Sequence, residues 1–455
     1  MKTIVWRSQR SQVTASRTVG IRKRTWLLQL LTMLCCAPMA SAQGGNVLNM
    51  ENPPPLFGNI HRRFAVEAMD SVFKWIEQRQ PAPYQYLSRA EVRRRRSALA
   101  QSLPDSVDRW WFVDQLAQVV SAMDNEAVWI YNASSVRRTD SPTGPPSLPR
   151  FPAFLQWVED RAIVTFGKRG LWDGDEVLRI NGVGIDSLVR HTAHTLTGTR
   201  THRLELATAL IPVEMHKHEA LTEPYVVDVR RYNGERATLR VSSSTLDEVR
   251  HSNGLMQANN EMLGIGVYVG HLRNGAFTTG VGGLQLVPQK TSTYLRQIAE
   301  KLVQQQSPAL VIDLRWESNL PPWLIRTVVN ALKPAGILGR TNVPTCVLMG
   351  GMTTHGAAQL VSEIQRLGLA RTLGEDAGGW HNGLAADLGT PVPHLSAILM
   401  LPERGQTFVP GVRRTLHPLI HVPVWRKDIA EGRSLAMELA SECGSLKPVP
   451  RVTAR

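Results

Sequence analysis

Ala309-Leu310-Val311-Ile312-Asp313-Leu314-Arg315 is a short apolar run that stops abruptly at charge, as a strand covered on both faces does where it leaves its sheet. The next such run is Pro344 to Met349. Between them, Leu324 to Leu332 carries apolar residues at helical spacing and ends before Pro334-Ala335-Gly336. Strand, crossover helix and strand therefore form one right-handed unit. After the second strand come Gly350-Gly351-Met352-Thr353-Thr354-His355-Gly356-Ala357-Ala358, an amphipathic helix to Leu367, and a third short strand from Ala370 to Leu373. The segment closes on Gly374-Glu375-Asp376-Ala377-Gly378-Gly379. A small-residue turn between a buried strand and a helix suits a nucleophile, because the helix N-terminus offers backbone donors to an anion.

The chain of 455 residues is long enough for two or three domains, and at 43% hydrophobic and 20% charged its composition is that of a globular protein. Residues 1 to 24 hold basic but no acidic side chains, Thr25 to Cys36 is a short apolar segment, and Ala40-Ser41-Ala42 follows. This pattern predicts a secretory signal peptide cleaved after Ala42. The apolar core is too short to span a bilayer, and no later run approaches the roughly 20 residues a spanning helix needs. Cys35 and Cys36 raise a lipid-anchored alternative, against which stands Leu34 where a small residue is wanted. Cleavage leaves Cys346 and Cys443. In an oxidising compartment they can pair, but Cys346 lies in a predicted buried strand, so the expectation is a buried small side chain and a free thiol. The formal charge of +14 falls by the seven basic residues of the leader to +7. The densest basic cluster, Arg93 to Arg96, reads as a solvated helix face, and no zinc-finger spacing or aromatic-interleaved strand points to nucleic acid.

Phe64 to about Met123 is helical in pattern, with apolar residues recurring at three and four around Phe64-Ala65, Val72-Phe73 and Trp110 to Val120. Ser106 or Asp108 suits the N-cap of the last helix. Ser141 to Pro152 is a proline-rich linker. Trp157 to Phe166 predicts a hairpin, and Gly174-Asp175-Glu176-Val177-Leu178-Arg179-Ile180-Asn181-Gly182-Val183 predicts a strand entering a tight Asn-Gly turn. His191 to Pro212 reads as helix, Tyr225 to Val241 as two strands about Asn233-Gly234, and Met262 to Leu272 as one strand entering the last domain.

The order of strand-Asp313-Leu314-Arg315, Val347 to His355 and Gly374 to Gly379 resembles the C-terminal processing, or tail-specific, serine peptidases. The closing Val422 to Arg433 segment is similar to that family's end, and the strand with its Asn181-Gly182 turn resembles PDZ-like domains. The resemblance implies an α+β and α/β multidomain architecture. It comprises a signal peptide (1–42), an N-terminal helical subdomain (43–140) and a PDZ-like β module (150–245). A C-terminal α/β core with a partly parallel sheet, ClpP/crotonase-like, follows (260–440), and then a tail (441–455). It implies serine-type proteolysis without a cofactor, exercised on peptides or on unfolded or envelope proteins in the periplasm or outside the cell.

Peptide hydrolysis on this scaffold needs a nucleophile, a base and oxyanion donors. Carrying the family pattern onto this chain puts His355 at the nucleophile, Glu126 at the histidine base of Asp124-Asn125-Glu126-Ala127, and Trp380 at the lysine of the Ser-Lys branch. Ser318, Asn319 and Leu320, followed by Pro321-Pro322, stand where glycines let the backbone approach the substrate carbonyl. Gly351 and Gly356 line the same cleft, and Gly374, Glu375, Gly378 and Gly379 form its facing turn. All three chemical elements are substituted, so the expectation is a degenerate homologue that binds without cutting. Three alternatives remain. Thr353 or Thr354 can act as a displaced nucleophile with His355 or His381 as base. Glu126, His355, His381 and Glu375 have the donor types of a metal site, though no helical spacing groups them. Ser362 can attack only in a shifted register, from inside the helix.

Overall fold

The structure is a computed structural model that describes residues 58–80, 82–84, 86–124, 128–132, 151–214, 223–244, 261–264, 267–271, 276–281, 288–317, 320–380, 386–402 and 415–446. The first unit contains β1 (Asn59–His61), α1 (Arg62–Arg79), α2 (Arg89–Ser102), β2 (Ser106–Asp108), α3 (Arg109–Ser121) and β3 (Trp129–Asn132). Each helix buries the stripe expected from its sequence; α1 turns Ala65, Met69, Val72, Phe73 and Ile76 inward. Asp108 caps α3 by accepting from the Trp111 amide at 2.8 Å. On the solvated face of α2, Arg94 and Arg95 both pair with Glu91, at 2.7 and 2.8 Å.

A six-stranded antiparallel module follows: β4 (Phe154–Val158), β5 (Arg161–Thr165), β6 (Glu176–Ile180), β7 (Val183–Gly184), α4 (Ile185–Ala193), α5 (Arg200–Glu214), β8 (Tyr225–Arg230) and β9 (Arg236–Val241). Strand order is β4-β5-β6-β8-β9, with β7 folded back on β6. The stretch read as one helix from His191 to Pro212 is two. Thr195 and Leu196 close turns back onto α4, and Gly198 holds a φ of 103° before α5 begins.

The C-terminal unit comprises β10 (Glu261–Gly264), β11 (Val267–His271), β12 (Phe277–Val281), α6 (Pro288–Gln304), β13 (Leu310–Asp313), α7 (Pro322–Leu332), β14 (Thr345–Met349), α8 (His355–Leu367) and β15 (Arg371–Gly374). It continues through β16 (Ala386–Pro391), β17 (Ala397–Pro402), β18 (Ile420–His421), α9 (Arg426–Ala430) and α10 (Leu435–Ser441). Seven strands form one sheet in the order β10-β11-β12-β13-β14-β15-β18, antiparallel up to β12 and parallel from β12 onward. The expected mixed architecture with a partly parallel sheet is thus present. The single strand expected from Met262 to Leu272 is instead the pair β10 and β11, because Gly264 and Gly266 punctuate the run; Leu272 is outside the described residues.

Alternation along the central strands explains why both faces of the sheet are dry. Leu310, Ile312, Val347 and Met349 join α6, α7 and α8 in one cluster, while Val311, Cys346, Leu348 and Leu373 join α10 in another. The thiols expected to be free are in fact a disulfide, Cys346 to Cys443, with Cα atoms 5.9 Å apart. The reason is this same alternation: Cys346 points away from α8 and toward the chain that leaves α10. Strands β16 and β17 stand apart from the large sheet, β16 pairing with β17 and β17 with β3, so Val392, Leu395, Leu399 and Leu401 complete the core of the first unit. No helix among the described residues is long and apolar enough to cross a membrane.

Candidate functional site

Strand β14 ends at Met349, and the turn that follows is built around Thr353. Its hydroxyl donates to the Leu314 carbonyl at 2.7 Å and accepts from the Gly350 amide at 3.0 Å. Its carbonyl accepts from the Gly379 amide at 3.0 Å. One buried residue, through its hydroxyl and its carbonyl, thus joins the end of the Asp313-Leu314-Arg315 strand, the glycine turn and the facing Gly374 to Gly379 segment. Its proton is committed to a carbonyl, so the Thr353 hydroxyl acts as a structural staple. Thr353→Val keeps the shape but takes the hydroxyl acceptor from the Gly350 amide in the interior, while the Leu314 carbonyl still accepts from the Glu317 amide at 3.1 Å, and should lower the unfolding free energy by about 1–3 kcal/mol. Chemical denaturation of the variant against wild type checks this.

Arg315 reinforces the same strand end. Its guanidinium forks onto Asp313, at 2.9 and 2.7 Å, and reaches the Ser434 hydroxyl that caps α10.

Thr354 is the N-cap of α8, with its amide donating to the Glu317 carbonyl at 3.2 Å. The next residue, His355, is the first of the helix and adopts a φ of 48°, unusual for a side chain with a Cβ. A left-handed residue between a buried strand and a helix is the geometry of an elbow that presents a reactive side chain. Here the presented group is an imidazole. Its ring packs against Trp129, centroids 4.8 Å apart, and its Nδ1 lies 2.8 Å from the Thr354 hydroxyl oxygen. Thr354 is 1% exposed and His355 7%. Trp129 comes from β3, in the first unit, and nothing in its local sequence marks it as a neighbour of position 355.

Behind the elbow, Gly356 lets the chain after the strand end pass close. A Cβ there would fall 1.9 Å from the Leu320 carbonyl oxygen. Leu320 is fully buried, and Pro321 and Pro322 start α7 directly after it. Ser318 and Asn319 lie outside the described residues, as do Glu126 and His381. Among the described residues no group of three histidine, cysteine or acidic side chains is placed to hold a metal. Trp380 forms an antiparallel bridge with Thr415. Ser362 is buried within α8, away from the turn.

The facing turn starts at Gly374, with a φ of 122°, and Glu375 donates its amide to the Met349 carbonyl. The Glu375 carboxylate accepts from the Val424 amide at 3.1 Å; burial nonetheless raises its pKa above the usual carboxylate range. Two further groups reach this region from α5. The His202 ring N–H at Nδ1 donates to the Gly351 carbonyl at 2.8 Å, and Glu205 packs its carboxyl against Gly351. Sequence reasoning assigned neither residue to the site, since their helix carries no motif and its partner is some 150 residues away in the chain.

No known family model matches the sequence, and no curated protein matches it. Solved structures do. The structure of a CPAF s499a mutant aligns at 11% identity over 85% of this chain and 99% of its own, with a TM-score of 0.54. That of mature CPAF aligns at 11% identity over 84% and 97%, with a TM-score of 0.55. A photosystem II D1 C-terminal processing protease aligns at 11% identity over 85% and 98%, with a TM-score of 0.43. At such identities the likeness, carried by the two CPAF structures, shows that this chain has their fold along nearly their whole length.

Proposed function

We propose that this chain is an exported, catalytically degenerate relative of the tail-specific serine peptidases that binds peptides or unfolded envelope proteins without cutting them. The observation that carries the reading is His355 at the elbow. An imidazole in the position of the attacking hydroxyl forms no acyl ester, and its ring is taken up by Trp129 and Thr354. Peptides would bind along the edge of the middle module, read as PDZ-like over 150–245. There β4 is, among the described residues, the end strand of the sheet beside α5, the kind of edge to which an extended peptide adds. The leader over 1–42 and the Cys346–Cys443 bond both favour an oxidising compartment, periplasmic or extracellular. The helical subdomain is assigned to 43–140, supplemented by the 386–402 strands that complete its core, the peptidase-like core to 260–440 and the tail to 441–455.

A second reading has one observation in its favour: the 2.8 Å separation of the Thr354 hydroxyl from His355 Nδ1 is that of a nucleophile and its base. Against it, a hydroxyl 1% exposed is closed to a polypeptide substrate. The two separate when mature protein, residues 43–455, is incubated with unfolded casein and a mixed peptide library. Wild type, His355→Ala and Thr354→Ala are expected to leave the substrates intact while peptides stay bound. Cleavage by wild type that either substitution abolishes would overturn the degenerate reading and identify Thr354 and His355 as its machinery.

A further inference from the structure

Helix α5 belongs to the middle module, yet its first turns lie against the glycine turns of the C-terminal unit. The Thr199 amide donates to the Gly378 carbonyl at 3.1 Å, and His202 donates to Gly351 at 2.8 Å. Gly351 and Gly378 are themselves pressed together. A Cβ on Gly378 would fall 1.9 Å from the Gly351 carbonyl oxygen, and one on Gly351 would fall 2.2–2.5 Å from the Glu205 carboxyl atoms. Met352, next in the turn, is buried in the core of the middle module. The elbow bearing Thr354 and His355 is therefore clasped by α5.

Glu205 sits in that seam 8% exposed, and none of the described residues pairs with it as a cation. The neighbouring charge is a second carboxyl, Glu375, across the seam. A buried acid without a cation and next to another acid is tolerated when it keeps its proton.

We propose that the α5 seam is a proton-operated latch: a neutral Glu205 carboxyl holds the middle module onto the elbow turn, and its ionisation beside Glu375 loosens that grip. Burial, and then Glu375, push the Glu205 carboxyl well above the usual range. Around Glu375, His421 and Arg315 favour its charged form and Asp376 opposes it. On α5 itself, burial and then Arg203 hold His202 down against the hydrogen bond to Gly351, to about 4, so this imidazole is neutral wherever Glu205 titrates above that value.

The sign follows from which state binds the proton. In an opened seam Glu205 is solvated and ionises near the ordinary glutamate value of about 4.3. In the closed seam it keeps its proton to higher pH, so rising pH favours opening until the closed-state value is passed. His202 acts oppositely: its closed-state value is depressed, so it favours opening only as pH falls below about 6.5. Loosening the seam frees the Gly350 to Thr353 turn from one of its supports, whether the chain binds peptides or cuts them.

The test is hydrogen exchange of the α5 segment, residues 200–214, in the mature chain from about pH 5 to about pH 9, comparing wild type with Glu205→Gln at each pH. The ratio cancels intrinsic exchange and the His202 contribution. The wild-type opening constant relative to Glu205→Gln is expected to climb by up to roughly tenfold per pH unit and then level off. With Glu375→Gln the climb should be shorter, because the like charge that keeps Glu205 protonated is gone. A ratio that stays flat across the range, or a Glu205→Gln seam that opens more readily than wild type at high pH, overturns the latch. Should Glu205→Gln fail to fold, Glu375→Gln alone decides. A climb in α5 opening shorter than wild type supports the latch, and an equal or longer one overturns it.

Discussion

Replacing Cys443 by alanine is expected to lower the unfolding free energy of the protein by about 4 kcal/mol. The bond joins residues 97 apart in sequence. Closing a loop of that length removes on the order of 4–5 kcal/mol of chain entropy from the unfolded state, within the roughly 2–5 kcal/mol observed when native disulfides are removed. The side chain to be lost is 1% exposed and packs with Leu348, Ala436 and Ala440, so alanine also leaves a small void rather than a buried hydroxyl. The Arg371 guanidinium donates to the Cys443 carbonyl, holding the chain after α10 in place from β15. Denaturant unfolding with and without reductant gives the measurement. Reductant should bring wild type down to the variant and leave the variant where it is. Equal midpoints for oxidised wild type and Cys443→Ala would show that the staple contributes nothing to the folded state.

Gly378→Ala should cost about 3 kcal/mol, at the upper end of what one added methyl does in a packed interior. The new Cβ would meet the Gly351 carbonyl oxygen at 1.9 Å and His202 Cβ at 2.7 Å. The first is backbone, so no rotamer change relieves it. The turn must move, and with it the two hydrogen bonds that Thr199 and His202 make across the seam. The expected signature is a loss of stability accompanied by faster hydrogen exchange in residues 200–214. A drop in stability with unchanged exchange in α5 would mean that the methyl is absorbed elsewhere in the turn. Wild-type stability would mean that the turns at Gly378 and Gly351 separate at no cost to admit the methyl.

The fold shared with the CPAF structures and the side chain carried at the elbow have different physical origins. Strands β13, β14 and β15 and helix α8 must present apolar side chains at their own repeat, whatever the site does, so the scaffold constrains those positions and leaves the residue at the elbow to other demands. Position 355 has the left-handed backbone of an elbow and carries an imidazole.

By itself the sequence determined the elements whose signals are local. Ala309 to Arg315, Pro344 to Met349 and Leu324 to Leu332 are legible because burial on both faces demands unbroken apolar runs and a crossover helix shows the period of its buried stripe. The Asn181-Gly182 and Asn233-Gly234 turns are legible because few residues accept their backbone angles, and the strand-turn-helix order from Ala309 to Gly379 is legible in the same local runs. Tertiary structure alone decided what depends on distant chain meeting. Cys346 finds Cys443 only because of which face of β14 it occupies. Trp129 reaches His355 from another unit, β17 pairs with β16 and β3 apart from the large sheet, and His202 and Glu205 come to Gly351 across some 150 residues. In each case the contact is set by the packing of one element on another, and neither partner's neighbours in sequence carry a trace of it.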